Sequence, residues 1–229
     1  MISKVLQNKI SHEEFIKIAQ YLGVAISFKN SPPKLLTNEK QMTFTDIEVF
    51  ILAATYNLKS SRITEGILCW LMQFGFLLSP SKLRRLIVAG TPYDSAILGA
   101  FITLMIEHKI QSTQWRILFP FIHKKKSQTL LIDGPTPRTP NPYFMKFRIL
   151  APNFKMEISK FLLAESVVLR NCPELRFRAL FGSTVNADIA SYLLYNINAT
   201  PYEIAKETHH HKARVFSVYP RILAANSSF

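Results

Sequence analysis

Residues 200–223 read TPYEIAKETHHHKARVFSVYPRIL and divide into a short capped helix, a polar turn and a basic second helix. The Thr200 hydroxyl can accept a hydrogen bond from the amide three residues on. Pro201 fits the first helical position, where a backbone donor would be unpaired anyway, and Glu203 can return to the cap amide and close a capping box. In the second helix Val215, Tyr219 and Ile222 fall at i, i+4 and i+7, one apolar face. His210, His211, Lys212, Arg214 and Ser217 then point outward. His209 stands in the turn, where its side chain tolerates positive φ less well than glycine does. Pro220 removes a helical hydrogen bond and is expected to kink the helix or end it near Val218.

The support for this pair lies upstream. Leu180-Phe181-Gly182-Ser183, followed by Val185, Asp188, Ile189 and Leu193, predicts a helix over 185–194. Together with Thr200-Pro201-Tyr202-Glu203-Ile204-Ala205, the segment 178–223 resembles the winged-helix branch of helix-turn-helix proteins, in particular bacterial regulators with an Ile-Ala pair on the second helix. About one fifth of the chain carries the resemblance, and no family is recognised for residues 1–150. It implies that Ala205 is small because two helices cross closely, and that the second helix of the pair reads duplex DNA. Lys212 and Arg214, near its start, would meet base edges or phosphates. Too few residues follow Leu223 for a β-hairpin wing, so the module is read as wingless, shortened or reused for another purpose.

Charge agrees with a polyanionic partner. Lysine and arginine number 28 against 15 acids, a net charge of +13, and 48% of the residues are apolar, enough for a sizeable core. Such an excess selects nucleic acid or an anionic surface without specifying sequence. The excess is uneven: residues 1–150 carry 19 Lys and Arg against 9 acids, and the remainder 9 against 6. Within the first part, Lys82, Arg84 and Arg85 follow a helix start at Ser79-Pro80, so Arg84 and Arg85 could reach phosphate from a helical face. Lys124, Lys125 and Lys126 read as a solvated turn. A solvated basic face would produce the same pattern as a DNA-contacting one.

Helix starts are legible elsewhere. Ser11 with Glu14 precedes Phe15, Ile18 and Leu22, with Gly23 as a stop; Thr45 with Glu48 repeats the device before Ile47, Phe50 and Ile51. Between them, residues 28–42 with Pro32 and Pro33 read as a loop. Dense apolar residues predict buried helices over 63–77, 80–88 and 92–107, the last two opened by Ser79-Pro80 and Thr91-Pro92, and a further helix over 113–121. Thr91-Pro92-Tyr93 echoes Thr200-Pro201-Tyr202, a coincidence expected wherever helices start abruptly. Four prolines in 134–142 exclude a regular element and set the boundary there. Flanking segments 129–132 and 143–150 have strand composition and could form a hairpin. Helices capped by Asn153 and starting at Glu174 follow.

These readings give a mainly α chain: a multi-helix part over 1–133, a Pro-rich linker and short strand over 134–152, and a helix-turn-helix domain over 153–229, with at most a short β-hairpin. The apolar runs 67–78 and 97–106 are shorter than the ~18 to 20 residues that cross a bilayer, so no membrane partner is expected. Cys69 and Cys172 lack metal-ligand or CxxC neighbours, and the first twenty residues lack an apolar signal core, which together point to the cytoplasm. Adjacent histidines 209–211 point in different directions and do not chelate one ion, so no metal is expected. Leu180-Phe181-Gly182-Ser183 is also similar to the opening of a nucleotidyltransferase site, but that chemistry needs paired carboxylates and Asp188 stands alone. No catalytic residue and no cofactor is assigned. The expected function is DNA binding with transcriptional regulation, including the antitoxin type, through His210, His211, Lys212, Arg214, Ser217, Arg84 and Arg85. Many such readers act as homodimers. The alternative is a helical module that docks on a protein partner.

Overall fold

Ser11 accepts a hydrogen bond from the Glu14 amide at 3.2 Å, and helix α1 (His12–Tyr21) starts there as its cap predicts. The computed structural model describes residues 9–26, 44–111 and 113–226; the loop expected over 28–42 lies outside them. Gly23 follows α1 at φ +91°, and a Cβ placed on it would lie 2.4 Å from Val168, so both backbone conformation and packing require glycine there. Helices α2 (Ile47–Asn57), α3 (Ser61–Phe74), α4 (Pro80–Val88) and α5 (Ser95–Glu107) come next, with a 3-10 turn (Gly75–Leu77) after α3. Their apolar side chains surround Trp70, which meets the Phe50 ring edge-on at 5.8 Å between centroids and donates its indole N–H to the Leu22 carbonyl at 3.0 Å. No single helix among the described residues is long and apolar enough to cross a membrane; α3 with its 3-10 turn and α4 form an apolar pair bent by 108°.

Two expected caps move. Asp46, not Thr45, caps α2 by accepting from the Glu48 and Val49 amides, while the Thr45 amide donates to Glu174 Oε1 at 2.8 Å. Glu48 is drawn inward to a guanidinium instead of closing a capping box. Likewise Asp94, not Thr91, caps α5, so the echo of Thr200-Pro201 at Thr91-Pro92 is not structural. In both places a carboxylate near a threonine wins the competition for the orphan amides. The helix expected over 113–121 is a 3-10 helix (Gln114–Phe121) with Pro120 inside it.

The second half departs more. Strands β1 (Thr129–Leu130) and β2 (Ile149–Leu150) do form, but they pair parallel, Thr129 with Ile149 and Leu130 with Leu150, so no hairpin joins them. The intervening Asn141-Pro142 is itself a cap and first helical residue, starting α6 (Pro142–Met145) where a strand was expected. No helix starts at Asn153. Residues 153–157 run without helix, α7 (Ile158–Phe161) and α8 (Glu165–Asn171) are short, and Leu162 bridges antiparallel to Val24. The apolar spacing there reflects burial from several small pieces rather than one helical face.

Helices α9 (Pro173–Phe181), α10 (Val185–Tyr195), α11 (Pro201–Glu207) and α12 (Lys212–Asn226) complete the chain. Two apolar cores result. One runs from Phe15 to Leu175 and takes in Phe144, Phe154, Phe161 and Val168; the other comprises Val185, Ile189, Tyr192, Leu193, Ile204, Val215 and Val218 with their neighbours. The division between cores therefore falls between Leu175 and Val185. The proline-rich segment 134–142, by contrast, lies within the span of the first core.

Candidate nucleic-acid interface

The capping box at α11 is complete: the Glu203 amide donates to Thr200 Oγ1 at 3.3 Å, and the Thr200 amide donates to Glu203 Oε2 at 2.8 Å. The Thr200 donors hold the Glu203 carboxyl below its ordinary pKa. Ile204 and Ala205 are buried, and Thr208 ends the helix with its hydroxyl on the Ile204 carbonyl at 2.7 Å. His209 then takes φ +57°, the left-handed turn position expected of it. The His211 carbonyl accepts from the Arg214 and Val215 amides and opens α12.

Of the two effects expected of Pro220, a kink or an end near Val218, the end does not occur: helix α12 runs on through Pro220 to Asn226. Packing accounts for this. Val218 before the proline and Ile222 after it both belong to the second core, and the Tyr219 hydroxyl donates to the Ala199 carbonyl at 3.0 Å. A missing backbone hydrogen bond on the solvent side is outweighed by anchors on the other.

Of the seven residues expected to meet DNA, His211, Lys212, Arg214, Ser217 and Arg84 are exposed. Lys212 Nζ lies 4.1 Å from the Tyr202 ring centroid, a cation–π contact between the two helices. By helical geometry Arg214 shares a flank with Arg221, at i+7, while Lys212 lies on the other flank with Phe216 and Leu223. Arg221, beyond Pro220 and outside the residues expected to meet DNA, is exposed as well. From Thr208 to Asn226 there is no acidic residue.

His210 and Arg85 are the two exceptions. Both turn inward: His210 Nε2 lies 2.8 Å from Asp188 Oδ2, and Arg85 Nη2 lies 3.2 Å from His210 Nδ1. They are the rim of a buried seam of charge. Lys82, expected among the surface cations, is fully buried, with Nζ 2.8 Å from Asp188 Oδ2, 2.9 Å from Asp46 Oδ2 and 3.4 Å from Glu48 Oε2. Arg178 holds Glu48 with two nitrogens, at 2.6 and 2.8 Å, and donates through Nε to Asp188 Oδ1 at 2.9 Å. Asp188, read as a lone acid, is thus the meeting point of α4, α9 and the turn before α12.

Electrostatics keep this seam ionised. Burial alone would raise the Glu48 carboxyl, but Arg178 and Lys82 hold it down to about 2. Asp188 is treated the same way by the same cations, aided by His210, and is held well below the usual carboxylate range. Burial lowers the His209 imidazole, with Asp46 opposing. A second polar node sits on Glu174, whose Oε2 accepts from the Tyr21 and Tyr195 hydroxyls at 2.7 and 3.3 Å; burial pushes its carboxyl up. No sequence signal marks either node, because each partner set comes from segments far apart in the chain.

Among the described residues no three His, Cys, Asp or Glu side chains are grouped to hold a metal ion. Compared with protein-family models, curated proteins and solved structures, the chain matches none.

Proposed function

We propose that the chain binds duplex DNA in the cytoplasm through α12, as a transcriptional regulator of the helix-turn-helix kind, with the antitoxin type included. The observation that carries this reading is the solvent face of α12: His211, Lys212, Arg214, Ser217 and Arg221 are exposed on a helix free of acids, anchored by its opposite face to α10 and α11. Cations on a rigid helix can neutralise phosphates and reach base edges. Arg84, exposed on α4, would add a phosphate contact beside the module. A shift assay on mixed genomic duplex fragments over a salt series tests it. Binding should weaken steeply with salt, and the Lys212→Ala/Arg214→Ala variant should lower the log–log slope by about 0.9 for each phosphate that it no longer neutralises. Absence of binding by the wild-type chain at low salt rules the reading out.

A second reading, a protein-docking module, is favoured by the apolar residues beside Lys212: Tyr202 and Phe216 are each 54% exposed and Leu223 39%. It predicts that Phe216→Ser removes association with a protein partner while leaving DNA affinity within about threefold, a surface-substitution effect.

A further inference from the structure

His210 contacts an acceptor on one side and a donor on the other. Its Nε2 faces Asp188 Oδ2 at 2.8 Å and its Nδ1 faces the Arg85 guanidinium at 3.2 Å. A guanidinium offers only donors, so Nδ1 must be the bare nitrogen and Nε2 must carry the hydrogen. Only the neutral tautomer protonated at Nε2 satisfies both contacts. The charged and titratable groups around it are Asp188 on α10, Lys82 and Arg85 on α4, Arg178 on α9, Asp46 and Glu48 at the start of α2, and His209 and His211 in its own turn. Three carboxylates (Asp46, Glu48, Asp188) are thus faced by two cations (Lys82, Arg178), and a neutral imidazole links Asp188 to a third, Arg85, without adding charge. Arg85 Nε is buried with no hydrogen-bond partner, so among the described residues the His210 ring is the polar tether of that guanidinium.

We propose that His210 and Arg85 are positioning residues rather than DNA contacts: the neutral His210 bridge between Asp188 and Arg85 fixes the start of α12 against α4 and α10, and so sets the direction in which Lys212, Arg214 and Arg221 are presented. The consequence for binding rests on the DNA reading; the bridge itself does not.

The test uses the full chain with His210→Gln, His210→Ala and Arg85→Ala. Glutamine offers one amide donor and one acceptor, as the neutral ring does. Amide exchange of α12 at pH 7 should stay near wild type in His210→Gln and accelerate about tenfold in His210→Ala, the effect of removing one charge-assisted hydrogen bond. On duplex DNA, His210→Ala and Arg85→Ala should each weaken affinity about tenfold with an unchanged salt slope, and the double variant should be no worse than either. Unchanged exchange in His210→Ala, or His210→Gln behaving like His210→Ala, overturns the bridge. A reduced salt slope in Arg85→Ala makes Arg85 a phosphate contact and overturns its positioning role. If the wild-type chain binds no DNA, the proposed function fails while the exchange comparison still decides the bridge.

Discussion

His209 holds φ +57° with its ring half-buried, Nε2 3.9 Å from Asp46 Oδ2. Histidine, asparagine and aspartate tolerate that conformation better than other residues with a Cβ, whereas a β-branched side chain is strained there. His209→Val should therefore destabilise the chain by about 1–2 kcal/mol in urea unfolding, and His209→Asn by much less. The same residue has a pH signature. Burial lowers its pKa in the folded chain, so the unfolded chain takes up the proton first. Its contribution is complete above about pH 6.5 and declines as the pH falls toward the lowered folded value. Unfolding free energies measured between pH 5 and 7.5 should show this loss in the wild type and a smaller one in His209→Asn. That His209 lies in a turn was legible in the sequence, because the helical patterns on either side of it mark the turn. The inward direction of His210 was not: helical periodicity places it outside, and the Asp188 carboxylate that turns it lies on another helix.

At the scale of the element, α12 is the instructive case. Its start follows the turn, its core face includes the i, i+4, i+7 set read from sequence, and of the two effects expected of Pro220, a kink or an end near Val218, the end does not occur, because Val218 and Ile222 are anchored on either side of the proline. Replacing Pro220 by Ala should restore the backbone donor and remove the ring clash. We expect a stabilisation of about 1–3 kcal/mol in urea unfolding, with α12 retained. A destabilised variant would mean that the proline's geometry is required by the packing of Ile222. Helices α4 and α11 start where the caps Ser79 and Thr200 place them, because a cap is a contact between neighbours in sequence. The failures at α2, α5 and α6 are choices between nearby capping residues, or a Pro-rich stretch mistaken for pure linker. Those choices hang on which side chain is drawn elsewhere: Glu48 leaves its box for Arg178.

For the whole molecule, the seam of charge joins the two apolar cores. Arg178 contacts two buried carboxylates that Lys82 alone would then have to answer, so Arg178→Met should destabilise the chain by about 3–5 kcal/mol, with faster exchange across α10 and α12. Acid should act on the same seam. Glu48 and Asp188 have folded pKa values below their unfolded ones, so their contribution is complete above about pH 4.5 and is lost as the pH falls, through about 2 for Glu48 and well below the usual carboxylate range for Asp188. An acid titration followed by circular dichroism should show unfolding in that window, shifted to higher pH in Arg178→Met. By itself the sequence determined that the chain is mainly helical, where most helices begin, and which residues of α12 face solvent, since periodicity and capping act over a few residues. Only the tertiary structure decided that Lys82, Arg85, Asp188 and His210 belong to the interior. Lys82 and Asp188 are 106 positions apart, and the Coulomb attraction that offsets their loss of water exists only once α4 and α10 are brought together.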